Sequence, residues 1–484
     1  MSRINTNVSA MIARNNLARN NTDLQVRLER LSTGLQINRG ADDPAGLIVS
    51  ERLRNEISGI GQAVDNIERA SNVIATTEAG LQEINDLLTS IKGLVVEAAN
   101  TGAFSKEETE ANQLQIDSAI ESITRISNTA SFAGLKLLNG SLDYLTSGVT
   151  TSQVSDVNIK GANFGLNTSI PVTVEVIQSA EHASLFLSGN GTGTFSSAVS
   201  FEVQGTNGVQ AFNFASGTSL SAVAVAINAV SDATGVQAVL ASAADPTSGL
   251  VLESIEFGSD EFVSVRKLSG GAFFDTYTAQ GGGAVVRDIG ADVLALVNGN
   301  LALGDGLDIA LNAATLSVEM TLTSGAAQTL NSPYTYTITG GGATYQIGPD
   351  INTQQQVGFG IQSVAASRLG NSRVGFLNEI VAGESKSLVA GNFRAAADII
   401  DAAIDQVSTL RGRIGAFERN TLDTTLRSQQ VSLENLTAAE SAIRDTDFAE
   451  ETSRLTRAQI LQQAGTSTLA IANSTAQSVL SLLG

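Results

Sequence analysis

Apolar residues recur at both ends of the chain in alternating steps of three and four, and in the middle in steps of two. Near the start, Leu24, Leu28, Leu31 and Leu35 follow the first rule. So do Leu53, Ile57, Ile60, Val64 and Ile67, then Leu81, Ile84, Leu88, Ile91 and Val95. The spacing returns in Ile400, Ile404, Val407, Leu410, Ile414 and Phe417, and again in Leu469, Ala472, Ala476, Val479 and Leu483. Such steps align side chains along one helix face, and the seam they form needs a partner to cover it. The pattern predicts long helices packed either as coiled coils or as an ordinary bundle core, and spacing alone leaves both open. In the middle, Val172, Val174 and Val176, then Val199, Phe201 and Val203, alternate as half-buried strands do. Asn207-Gly208 marks a hairpin turn into residues 209–214. Leu307, Ile309 and Leu311, then Leu316, Val318, Met320 and Leu322, read as further strands. Thr218-Ser219 can cap one helix with the face Leu220, Val223, Ile227 and Val230.

Breakers divide the chain in the same way. Pro44 is the sole proline before Pro171, none follows Pro349, and all five tyrosines lie from Tyr144 to Tyr345. Proline-free, Ala-rich ends favour helix, and a Gly-, Thr- and Val-rich middle favours strands and turns. The expected fold is mainly α with an α+β insert over residues 170–342. Its terminal helices pair as a coiled coil and a helical rod, and the β-rich part forms a central outer domain. Gly34 and residues 38–46 interrupt the first seam, with Asp42 or Asp43 ahead of Pro44 as a helix-start signal. A metal reading of that Asp pair lacks further converging carboxylates. A second break at Thr101-Gly102-Ala103 precedes a helix seeded by Ser105, with Ile116, Ile120 and Ile123 on its face.

Composition narrows the function. Of 484 residues only 16% are charged, with 28 basic against 48 acidic and a formal net charge of −20. That balance argues against nucleic acid, whose phosphates need a basic face. With no cysteine and a single histidine, His182, the chain has no disulfide framework, no thiolate metal site and no His-Glu-x-x-His zinc helix. A Ser-His-Asp triad would have to use His182, which reads more plainly as a surface histidine. No catalytic residue, metal ligand or cofactor is therefore assigned, and no enzyme is expected. No apolar run reaches the length needed to span a membrane, and residues 1–10 show no secretory signal pattern. The Ser- and Thr-rich insert permits O-glycosylation, whereas Asn139-Gly140-Ser141 and Asn190-Gly191-Thr192 match an N-glycosylation acceptor, a short pattern that often arises by accident.

The two termini also complement each other. Everything after Arg457 is neutral, so the last helix needs cover, yet Ser467, Asn473, Ser474 and Gln477 make it too polar for lipid. Residues 1–38 carry Arg3, Arg14, Arg19, Arg27 and Arg30 against only Asp23 and Glu29. Asp445, Asp447, Glu450 and Glu451 lie at the matching depth of the other end. Pairing by seam and by charge follows.

Several of these stretches resemble bacterial flagellin. At the start they are Ile4-Asn5-Thr6-Asn7, Arg27-Leu28-Glu29-Arg30-Leu31-Ser32-Thr33-Gly34, Asp42-Asp43-Pro44-Ala45-Gly46, Thr76-Thr77-Glu78-Ala79-Gly80-Leu81 and Phe132-Ala133-Gly134-Leu135-Lys136-Leu137-Leu138. At the end they are Ala439-Glu440-Ser441-Ala442-Ile443-Arg444-Asp445-Thr446-Asp447, Gln462-Gln463-Ala464-Gly465 and Val479-Leu480-Ser481-Leu482-Leu483. Ile227-Asn228 looks like the Ile-Asn motif of flagellins and hook-associated proteins. The resemblance implies a structural subunit that polymerises into the flagellar filament, with a hook–filament junction protein as the alternative. It implies an inner coiled-coil domain over residues 1–38 and 448–484, a helical rod with a short β part over 39–169 and 343–447, and a variable surface domain over 170–342. Polymerisation would fall to Ile4, Val8, Met11, Leu24, Leu28, Leu31, Leu469, Ala472, Ala476, Val479 and Leu483, and the connecting segment to Asp42, Asp43, Pro44 and Gly46. Its partners would be further copies of itself, the flagellar type III export apparatus, an export chaperone, and hook-associated and cap proteins, with no nucleic acid and no membrane. Export without a cleaved signal would place the protein outside the cell. The stretch that animal receptors detect in flagellins corresponds to residues 90–96. There Lys92 and Leu94 remain similar while Ser90 and Gly93 stand where charged residues are typical, so rod packing is the main expectation for it.

Overall fold

The computed structural model describes residues 6–103, 105–165, 167–187, 193–242, 247–270, 274–278, 282–313 and 315–481, with side chains described up to residue 474. Ile4 and Leu483 lie outside the described residues, and for Ala476 and Val479 only the helical backbone is described.

Local signals start and stop the helices where the sequence places them. Helix α1 (Val8–Thr33) begins under Asn7, whose side chain accepts the Ala10 N–H, and ends at Gly34, held at φ 74° with its N–H donated to the Arg30 carbonyl. That left-handed turn is easy for glycine and strained for other residues. Helix α2 (Pro44–Ala98) starts at the proline. Asp43 Oδ1 accepts the Gly46 N–H at 2.9 Å, and Asp42 Oδ2 accepts the Asn38 and Arg39 N–H groups at 3.1 and 2.8 Å. Both aspartates thus act on backbone donors around the helix start. Helix α3 (Lys106–Thr129) opens with a reciprocal Ser105–Glu108 capping box, a device worth about 1 kcal/mol.

The chain divides into two compact units, the first made of residues 1–71, 346–351 and 418–484 and the second of residues 72–345 and 352–417. In the second unit, Leu81, Ile84, Leu88, Ile91 and Val95 of α2 are all essentially inaccessible. So are Ile116 and Ile123 of α3, and Ile400, Val407 and Ile414 of α5 (Phe393–Phe417). Ion pairs Lys92–Asp401 and Glu78–Arg411 join α2 to α5. Buried Gln113 on α3 donates to the Ile380 carbonyl and accepts the Leu388 N–H, tying a loop to that helix.

Eight antiparallel strands form the largest sheet. Their order is Tyr144–Ser147, Tyr334–Gly341, Ile170–Gln178, Leu294–Val297, Asn300–Asp305, Asp308–Asn312, Leu316–Leu322 and Val154–Ala162. The expected stripes Val172, Val174, Val176 and Leu316, Val318, Met320, Leu322 share one buried face. Two strands of this sheet precede residue 170, because Val154–Ala162 pairs with Leu316–Leu322 across a long stretch of sequence. Leu307 lies just ahead of its strand and packs partly buried against the same core.

A second lobe holds two four-stranded sheets and helix α4 (Leu220–Asn228) around Val199, Phe201, Val203, Val223 and Ile227. The Asn207-Gly208 hairpin forms as expected, pairing Gln204 with Val209. Helix α4 is shorter than its spacing suggests. Ala229 ends it, and Val230 reaches the lobe's core from just beyond.

Candidate assembly interface

In the first unit, α1 and the last helix, α7 (Phe448–Ser481), run antiparallel in contact. Asn7 Nδ2 donates to the Ala472 carbonyl at 2.9 Å, Asn20 Nδ2 to the Leu461 carbonyl at 3.2 Å, and Gln462 Nε2 to Asn21 Oδ1 at 2.9 Å. Further along, Arg27 pairs with Glu451 at 3.2 Å and with Asp23 at 2.9 Å. The backbones come close at Gly465, where an added Cβ would sit 3.2 Å from Leu17 Cδ1. The termini predicted to pair do meet, through charge and polar hydrogen bonds more than through the apolar seam.

Arg27–Glu451 is the most buried ion pair of this contact. The Glu451 side chain is 4% exposed and that of Arg27 18%. Burial works against the Arg27 cation, but hydrogen bonds to Asp23 and Glu451 outweigh it and the guanidinium holds its proton more tightly than usual.

A short strap follows each helix at this end. Gln36 N–H donates to the Arg444 carbonyl at 2.7 Å and Thr446 N–H to the Gly34 carbonyl at 2.9 Å. Arg444, at the end of α6 (Asp423–Arg444), pairs with Glu51 on α2 at 3.1 Å. Arg39 grips Glu29 through two guanidinium nitrogens.

The apolar seam of this pair is largely uncovered. Ala13 is the one buried residue of α1, and α6 has none among its described residues. Val8, Met11 and Leu28 are each about half exposed (52%, 51% and 49%), while Leu24, Leu31, Leu469 and Ala472 are half-buried. Ile12, Ile460, Leu461 and Ile471 are exposed as well, and the three-four stretches traced in the sequence do not include them. Lys92 and Leu94 sit elsewhere, in the second unit, with Lys92 Nζ 2.5 Å from Asp401 and Leu94 half-buried.

A pair of terminal helices that meet each other and still expose large aliphatic side chains on several faces defines a self-assembling structural subunit. Comparison with known proteins agrees. Residues 4–143 match the bacterial flagellin N-terminal helical region, residues 397–483 the bacterial flagellin C-terminal helical region, and residues 199–256 the flagellin hook IN motif. The chain is 30% identical over 541 residues to the B-type flagellin of Pseudomonas aeruginosa and 28% identical over 528 residues to the flagellin of Salmonella typhimurium, covering 99% of each chain in both cases. The solved flagellar hook-associated protein 3 of Legionella pneumophila is 11% identical, covering 81% of this chain and 98% of its own, with a TM-score of 0.33. The chain belongs to the flagellin family and is a structural subunit of the flagellar filament. A match over the whole length of flagellins favours this over the junction protein. Among the described residues, no helix is long and apolar enough to cross a membrane.

Proposed function

We propose that α1 and α7 are the polymerising element, and that their exposed apolar faces are covered by the same helices of neighbouring copies. The uncovered Val8, Met11, Ile12, Leu28, Ile460, Leu461 and Ile471 carry this reading. These side chains are 45–66% exposed, so covering each recovers roughly half of the about 1.5–3 kcal/mol of full burial, and together they contribute several kcal/mol toward ordering two helices that are marginal alone in water. Under this reading residues 1–38 and 448–484 form the inner coil. Residues 39–169 and 343–447 form the rod, and residues 170–342 the surface domain. Asp42, Asp43, Pro44 and Gly46 belong to the connecting segment, where the aspartates brace the start of α2. The work of the protein is assembly and not catalysis. It leaves the cell through the flagellar export apparatus with the help of an export chaperone, and it meets hook-associated and cap proteins at the ends of the filament.

Removing residues 469–484 tests the core of this reading. The truncated chain stays a soluble monomer with the thermal unfolding of the second unit unchanged, and it fails to extend filament seeds in negative-stain electron microscopy. Long, uniform filaments from the truncated chain would overturn the assignment.

A further inference from the structure

The second unit contains a cavity that assembly through α1 and α7 does not use. Its volume is about 550 Å³, and its walls are the segment 139–146, the strand Val154–Ala162, the segment 362–372, Phe376 and Gln406.

These walls are fixed by the protein's own bonds. Val364 N–H donates to the Leu138 carbonyl and Ile361 N–H to the Leu142 carbonyl, which clamps the two segments together. Gln406 accepts the Gly370 N–H at 3.0 Å and donates to the Arg368 carbonyl at 3.4 Å. Asn371 Oδ1 accepts the N–H groups of Arg373 and Val374. Gly140, at φ +88°, lies so close to Ser363 that an added Cβ would be 3.2 Å from it. A cavity held in this way is formed before anything binds, as small-molecule sites usually are.

Some of the polar groups along its walls and exposed rim have no partner within the protein. Among the described residues, the Arg368 guanidinium, the Asp156 carboxylate and the Gln362 amide make no direct hydrogen bond or ion pair within the protein. Asp143 accepts the Tyr144 N–H, and its burial pushes its carboxyl above the usual range despite the field of Arg368 and Arg413. Two carboxylates repel an anion such as phosphate, and the guanidinium repels a simple cation. A ligand that both donates and accepts hydrogen bonds suits this mixed set, and a molecule rich in hydroxyls does so at each position. Its O–H groups donate to Asp143 and Asp156, its oxygens accept from Arg368, and Gln362 serves either direction. Phe376 offers a half-buried ring on which the apolar face of a sugar can lie.

We infer that this cavity is a saccharide site, with Arg368, Asp156 and Asp143 supplying the charged hydrogen bonds that orient the sugar. The test is titration calorimetry on the full-length monomer with maltose, lactose and N,N′-diacetylchitobiose as probes. Saturable binding of at least one sugar is expected. It should weaken about tenfold or more in both Arg368→Ala and Asp156→Asn, since each removes a hydrogen bond to a charged group. Both side chains are exposed at the rim, and an unchanged circular-dichroism melt shows that each variant folds. Should Arg368→Ala fail that check, the near-isosteric Asp156→Asn carries the test alone. No heat from any of the three sugars, or affinities equal to the parent in folded variants, overturns the inference. A second arm presents the binding sugar on beads to assembled filaments. Capture identifies a surface glycan as the ligand, and binding confined to free sugar and monomer identifies a soluble saccharide.

Discussion

Leu88 and Leu28 follow the same three-four rule on helices of the same chain, yet Leu88 is 0% exposed and Leu28 is 49% exposed. The second half of α2, with α3 and α5, closes its core within one copy. The α1–α7 pair does not, and it leaves on its surface the kind of side chain that elsewhere in the molecule is hidden. Periodicity therefore reports that a face needs cover, but not whether the cover is intramolecular. Charge content gives the better hint: the stretch after Arg457 has no charged residue to make an exposed helix soluble alone.

After the loss of polymerisation on truncation, the sharpest way to press the comparison is to shorten both leucines. Leu88→Ala should lower the unfolding free energy by about 2–5 kcal/mol in a denaturant melt, because it opens a cavity in closed packing. Leu28→Ala should change the same melt by less than about 1 kcal/mol and instead raise the critical concentration for filament growth. Equal effects on the monomer would show that the two seams are not different in kind. Next in size, Glu451→Gln should weaken the α1–α7 contact by about 1–3 kcal/mol, seen as faster amide exchange in α1 with little change in α3.

A smaller effect concerns acid. Asp292 accepts from the Ser259 hydroxyl at 2.6 Å and from the N–H groups of Ser259 and Gly306 at 2.8 and 2.9 Å. Burial acts to raise its pKa, but these bonds outweigh burial and hold the carboxyl below the usual range. A depressed folded value contributes stability that is present above the ordinary aspartate pKa of about 3.9 and is lost as pH falls through the lower folded value. Asp292→Asn should therefore be less stable than the parent at neutral pH, and the two curves should converge in acid. Smallest of all, Lys92→Ala should cost under about 1 kcal/mol, since Lys92 and Asp401 are both close to half exposed and water screens their attraction.

Much of this was legible in residue order, and the gaps have physical causes. Gly34, Asp43-Pro44, Ser105 and Asn207-Gly208 act through bonds to near neighbours, so each could be read from a few letters. The strands at 144–147 and 154–162 could not, since their partners lie at 334–341 and 316–322 and pairing over such distances leaves no local mark. The π-helical turn Glu418–Leu422, directly after α5, likewise has no periodic signal. In the terminal pair, Arg27 and Glu451 were marked by complementary charge, whereas the exposed Ile12, Ile460 and Ile471 gave no sign because solitary off-seam aliphatics occur on many helices.

Arg27–Glu451 has a consequence for fidelity. Two helices rich in Ala, Ser, Thr and Asn, with a sparse apolar stripe, can close one heptad out of step with little loss of packing. A misaligned Glu451 would keep Arg454 of its own helix, 3.9 Å away, but would lose Arg27, and losing the nearer partner of a buried charge is destabilising. With the Asn7–Ala472, Asn20–Leu461 and Gln462–Asn21 hydrogen bonds, the ion pair helps to set the alignment. Under the proposed assembly, a copy whose ends closed a few residues out of step would lose these bonds before it joined the filament, and the error would not be repeated along it.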